Sequence, residues 1–462
     1  MQFSFQRYHR RDHAFTANLD NPTPQWRFMM AVLSQSKYEN TGSANTHVSP
    51  ESRMGKFSLT MAWWAVCSAV FYIVVGASLA IGYGTINAII GMILSVVSYG
   101  IINAILSRHA IRTGESVALF SQRLFGTRGA GLATLIFFTT AIYYAVFEGT
   151  VIALAIHELF PSITYAMASL IVVLYSVPLV LGSVQRWLDK FNFVLLPIYL
   201  GGLFICIAVS LYHYGYQPSW LTLGPEAPVA NGWWHCFTYY MGVWVLMLYT
   251  YDYARFGKTN DAEYHGRWNF GMPFYLVTFL LNGVAGIYLV ASIPHLGELT
   301  EISVVMAILK LMGLGGLIFV WATQTRINTA NYYLAAINMQ SFFAKFGLKI
   351  NYVGWAVIVG AIVFGLMLAD VFSYLLKALA YQGIFVVAWV GIALAHIASD
   401  RRSQASAAFD GKGLTSWFGA MLVGLILMHT GWSSLSAPAT AVVSFTLYYL
   451  LCKHAKGSVL AS

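Results

Sequence analysis

Twelve stretches of this chain are each long and apolar enough to cross a lipid bilayer, and nothing else in the sequence limits its fold as severely. A span needs about 20 mostly apolar residues. Such windows lie at 58–81, 84–106, 131–156, 163–184, 191–212, 234–254, 271–293, 312–341, 353–370, 372–397, 415–430 and 435–452. In hydrocarbon every backbone N–H and C=O needs a partner inside the protein, so the windows must be helices. The expectation is an all-α polytopic membrane protein of about twelve transmembrane helices. Composition agrees: 58% of residues are hydrophobic and 9% charged, with a mean hydropathy of +0.66, whereas a soluble domain is about 25% charged.

The basic residues test this map independently. Of 26 Lys and Arg, seven precede the first window or stand at its edge (Arg7, Arg10, Arg11, Arg27, Lys37, Arg53, Lys56). Sixteen more fall in every second loop or after the last window, from Arg108, Arg112, Arg123 and Arg128 through to Lys453 and Lys456. Only Lys310, Arg326 and Lys377 break the alternation. By the positive-inside rule the charged side is the cytoplasm, with both termini on it. The net charge of +9 therefore reports topology, not affinity for nucleic acid. Before the first window, FMMAVL is too brief for a signal-peptide core, and RYHRRDH reads as part of a solvated tail with anionic headgroups as the alternative partner. Cys67, Cys206, Cys236 and Cys452 show no paired spacing, so neither a metal site nor a disulfide framework is expected.

So little mass remains outside the bilayer that function has to reside within it. Ionisable groups inside spans are costly and mark functional sites. Asp252 lies three residues from Arg255 and reads as a helix-end ion pair, while Asp370 and Lys377 read as an interfacial pair or as snorkelling side chains. Glu148 and Arg326 lie deeper. In AIYYAVFEGTVIA, Tyr144 and Glu148 are four apart and share a helix face, suited to stacking on a flat ligand and accepting its N–H groups. Glu148 as the neutralising partner of Arg326 is the other reading. Around Arg326, TQTRINTAN offers the amides of Asn328 and Asn331 to a ligand or to an interrupted helix. Glycines Gly76, Gly82 and Gly242 interrupt the first and sixth windows, a pattern of two inverted halves with a midplane site, although glycines also serve close packing. An enzyme is not expected, because His235, His295, His396 and His429 lie at span ends without ligand or acid-base spacing.

HAIRTGESVALFSQRLFGTRGAGL after the second window, YDYARFGK closing the sixth and TQTRINTANYYLAAI in the eighth resemble the purine and cytosine permease group of the nucleobase:cation symporter-1 family, over roughly residues 58 to 400. The resemblance implies a five-plus-five inverted-repeat (LeuT-like) core with two further C-terminal helices. Together with the span and charge maps it divides the chain into a cytoplasmic tail (1–57), a transporter core (58–400), a cytoplasmic loop (401–414), two C-terminal helices (415–455) and a cytoplasmic tail (456–462). It also implies uptake of a nucleobase or related small nitrogenous ring across the cell membrane, the ring held between aromatics of helices three and six.

Carried over residue by residue, Tyr144 takes the helix-three aromatic position, Glu148 the ligand-bonding position one turn on, and Gly242 the unwound glycine of helix six, with Trp244 one residue beyond the expected aromatic. The family's sodium-coordinating hydroxyls fall around Thr323 to Asn328, where Arg326 stands. Arg326 is therefore expected as a built-in surrogate for the cation, with sodium doubtful and Glu148 the candidate for proton coupling, since arginine stays protonated. Tyr381, Gln382 and Trp389 in the tenth window depart from the family pattern and leave the substrate unnamed. A non-transporting receptor, or a transporter of a different small amine on the same scaffold, is the alternative expectation.

Overall fold

A computed structural model describes residues 47–180, 184–294, 298–399 and 407–460. Helix fills each of the twelve windows. The first is broken: α1 (Lys56–Trp64) tightens into a 3-10 turn (Ala65–Ser68), and α2 (Phe71–Tyr83) leaves at 43° to it. Then come α3 (Thr85–Thr113), the short amphipathic α4 (Val117–Phe125), α5 (Gly131–Leu159), α6 (Tyr165–Val180) and α7 (Val184–Tyr214). The sixth window is also interrupted, α8 (Gly232–Met241) passing through a 3-10 turn (Gly242–Trp244) into α9 (Val245–Ala254). The seventh ends in α10 (Asn282–Ser292) after a π-helical stretch at Leu276–Leu281, and α11 (Ser303–Met312) connects it to α12 (Leu314–Ala344). α13 (Tyr352–Leu368), α14 (Leu375–Ala398), α15 (Gly411–Met428) and α16 (Ser436–Leu460) complete the chain. Among the described residues seven helices are long and apolar enough to cross a membrane, and the α1–α2 pair makes an eighth. α12 is 31 residues long yet not among them, because its polar run around Arg326 lowers its hydropathy.

Breaks in the first and sixth helices, each a 3-10 turn near the helix middle, are the mark of two inverted five-helix halves. The first break is not where glycines would place it. Helical geometry fails at Ala69, which is extended (φ −68°, ψ 126°), and just before it Ser68 Oγ donates to the Ala65 carbonyl at 2.8 Å. A serine that bonds its own backbone competes with the helical ladder, and the effect falls on Ala69–Val70, well before Gly76 and Gly82. Gly76 instead lets α2 and α10 touch: a Cβ there would stand 2.3 Å from the Cα of Gly283. Gly82 has nothing within 4 Å of a Cβ. Gly242 does sit at the second break, where a Cβ would meet the Leu379 carbonyl oxygen of α14 at 2.1 Å. Backbone lies on backbone there, and the nearby Tyr240 carbonyl accepts from Tyr99 Oη at 2.5 Å.

The basic ends of the helices are tied together by the segment before α1. Val48 N donates to Gly114 O at 3.0 Å and Met54 N to Phe256 O at 2.7 Å. Arg53 Nη1 donates to the Ile111 and Gly257 carbonyls, each at 2.7 Å. Residues 47–57, expected as part of the tail, are thus packed against the helix ends, and RYHRRDH lies outside the described residues. Asp252 does not pair with Arg255 as expected. Its Oδ1 accepts from Val117 N at 2.8 Å and so holds the start of α4, while Arg255 Nε donates to the Asp252 backbone oxygen at 3.3 Å. In the connector ahead of α4, the buried Glu115 pairs with Arg123, and burial raises its carboxyl above the usual range against the pull of that arginine.

Gly76→Ala is expected to cost about 1–3 kcal/mol, as overpacking does, and to lower the melting temperature of the purified protein in detergent. Gly82→Ala is expected to leave it unchanged or slightly raised, since alanine is the better helix former.

Candidate functional site

The break between α1 and α2 leaves the carbonyls of the last α1 turn and the first N–H groups of α2 without intrahelical partners. Among the described residues three side chains reach it. Arg326 Nη1, from the middle of α12, donates to Ala65 O at 2.8 Å. Asn282 Nδ2, at the start of α10, donates to Cys67 O at 2.9 Å. Gln324 Oε1, two residues before Arg326, accepts from Val70 N at 3.1 Å. The polar run of α12 is therefore a clamp: at i and i+2 it supplies one acceptor and one charged donor to the two sides of a single interruption. The neighbouring hydroxyls are engaged elsewhere, Thr323 Oγ1 with the Phe319 carbonyl at 2.8 Å and Thr325 Oγ1 with Tyr175 Oη at 2.9 Å.

Beside the clamp lies a cavity of about 90 Å³. Its walls come from both sides of the break (Trp63, Val66, Ala69, Phe71, Tyr72), from α5, α9 and α12. Of the residues singled out in the sequence, Tyr144, Glu148, Arg326 and Asn331 line it, whereas Gly242, Trp244 and Asn328 do not. Trp244 turns its edge to Tyr99 at 6.3 Å, and Asn328 is fully buried away from the cavity. The sixth helix contributes Tyr249 and Tyr253 instead, one and two turns further along. Their spacing of four places them on one face; the missed signal was that repeated tyrosine, obscured because Trp244 is nearer to the break.

Glu148 is 2% exposed, and its Oε2 has no hydrogen-bond partner among the described residues. The ion pairs among the described residues involve His47, Lys56, Arg108, Arg112 and Arg123, and none joins Glu148 to Arg326. The two charges share a cavity wall without contact. Phe71 packs edge-on against Tyr144 at 5.1 Å and against Phe147 at 5.0 Å, and Phe147 stacks on Phe372 at 4.8 Å. This aromatic layer bounds the cavity on the side away from the basic helix ends. Beyond it is a second cavity, of about 380 Å³, bordered by Thr150, Tyr165, Glu301 and Asp370.

Two interrupted helices facing a midplane cavity, with two additional helices at the C-terminus, define a polytopic membrane protein of the five-plus-five inverted-repeat, LeuT-like fold. No protein-family model matches the sequence, and no curated protein sequence does. Solved structures do match. The inward-facing conformation of Mhp1 covers 89% of this chain and 94% of its own at 14% identity, with a TM-score of 0.71. Mhp1 in a closed conformation with bromovinylhydantoin bound, described as a nucleobase-cation-symport-1 family transporter, covers 90% and 96% at 17% identity and a TM-score of 0.66. A sodium-coupled sialic acid symporter in a substrate-bound outward-open state covers 92% and 95% at 11% identity and a TM-score of 0.53. The likeness is of fold, and that fold is one used by secondary transporters.

Replacing Gln324 with Leu leaves the Val70 N–H unpaired in a buried position, a loss of about 1–3 kcal/mol. The expected result is a lower melting temperature in detergent, with Gln324→Glu, which keeps an acceptor, closer to the native value.

Proposed function

We propose that the chain is a secondary transporter for a nucleobase or related small nitrogenous ring, working across the cell membrane with its basic side in the cytoplasm, and that it belongs with the nucleobase:cation symporter-1 family it resembles. The observation that carries this reading is the placement of Tyr144, Glu148 and Asn331 around one cavity at the break of the first helix. A site at the meeting of two inverted halves is where substrate can be exposed to either side by movement of one half against the other.

Arg326 is the proposed surrogate for a coupling cation. Its guanidinium charge and its bond to the Ala65 carbonyl supply at the break what a sodium ion would otherwise supply. Glu148 is the proposed substrate acceptor and the candidate for proton coupling, since Arg326 stays protonated at every physiological pH.

Counterflow in proteoliposomes tests the reading. Preloading with one of a panel of unlabelled purines, pyrimidines, hydantoins, allantoin and small amines is expected to drive transient accumulation of the matching label, equally in potassium and in sodium medium. Glu148→Gln is expected to lower that exchange at least about tenfold, the equivalent of a lost charged hydrogen bond. Saturable binding without exchange would make the protein a receptor instead.

A further inference from the structure

We infer that the substrate is a compact organic cation carrying N–H donors, an amidinium or a small protonated amine, bound through Glu148 inside an aromatic cage; the inference rests on the transporter reading and specifies the substrate of that same site. Three observations point to it. Glu148, almost wholly buried, lines the cavity with one carboxylate oxygen unpartnered among the described residues. A buried carboxylate is retained where it meets an opposite charge, and the ion pairs among the described residues do not provide one. Arg326, the cation nearest to hand in the cavity wall, directs Nη1 at the Ala65 carbonyl, so its role lies with the helix break.

The second observation is the wall itself. Trp63, Phe71, Tyr72, Tyr144, Tyr249 and Tyr253 surround the space. Aromatic faces attract a cation through their quadrupole, and more strongly when water is excluded. A neutral ring could stack and donate an N–H to Glu148, but it would leave the charge of the carboxylate unanswered. An anion would meet Glu148 directly and be repelled.

The third is a second polar group on the cavity wall. The amide of Asn331, unpartnered at Nδ2, can turn either its oxygen or its nitrogen to the ligand, the two being interchangeable by rotation.

Charge can be separated from shape with pairs of near-isosteres: guanidinium against urea, and acetamidinium against acetamide, at constant ionic strength, read as saturable thermal stabilisation of the purified full-length protein. The cations are expected to stabilise the wild type and the neutral members to leave it unchanged, with Glu148→Gln losing at least about tenfold in apparent affinity for the cations. Should Glu148→Gln not fold, Tyr249→Leu is expected to weaken cation binding severalfold while Tyr249→Phe, which keeps the ring face, holds it; equal affinities in all three proteins would overturn the cage. If uracil or hydantoin stabilises the wild type and exchanges in counterflow while the cations are silent, the cation assignment falls and the transporter reading stands. If no compound stabilises and none exchanges, both fall.

Discussion

The interruption at Ala69–Val70 is the feature around which the rest of the membrane domain is arranged. A break inside hydrocarbon exposes carbonyls and N–H groups that cost several kcal/mol each if unmet, so it can exist only where partners are built in. Here Gln324 and Arg326 of α12 and Asn282 of α10 provide them. That requirement explains why α12 carries a polar run at its middle. It also explains the close contact of α2 with α10 at Gly76 and Gly283, which brings Asn282 within reach of the Cys67 carbonyl. Stability and site are therefore one arrangement: the groups that make the broken helix possible also form one wall of the cavity.

The same arrangement separates the two deep charges. A direct ion pair between Glu148 and Arg326 would have neutralised both and left aromatic and aliphatic groups with Asn331 on the wall. With Arg326 turned to the Ala65 carbonyl, the carboxylate faces the cavity with capacity to spare. The charge-bearing half of the site is consequently open to a ligand or a proton. The aromatic layer of Phe71, Tyr144, Phe147 and Phe372 closes the cavity on one side, and the strapping of the N-terminal segment over the helix ends at Gly114, Phe256 and Gly257 ties the opposite side.

Much of the fold could be read in the sequence, because helix length and hydropathy answer to the bilayer alone and each window acted independently of the others. The site was readable only in part. Tyr144, Glu148, Arg326 and Asn331 announced themselves as polar or aromatic groups at helical spacing inside apolar runs. The break did not, since glycine is a poor guide where packing needs it as much as flexibility does: Gly76 turned out to be a contact and Ser68 the residue beside the interruption. Trp244 was misplaced by the same logic, for the register of the sixth helix beyond its 3-10 turn depends on how Gly242 lies against the Leu379 carbonyl, a long-range contact that local spacing does not encode. Asp252 likewise had a sequence neighbour of opposite charge but a tertiary partner in the Val117 N–H.

The central claim is that the protein's own guanidinium occupies the role of a bound cation at the broken helix. Saturable binding of sodium-22 to the purified protein tests it most directly, with wild type and Arg326→Ser measured side by side. The account predicts no saturable sodium binding to the wild type and its appearance in Arg326→Ser, where the Ala65 carbonyl is released and a hydroxyl is added. Saturable, stoichiometric sodium binding to the wild type would contradict it.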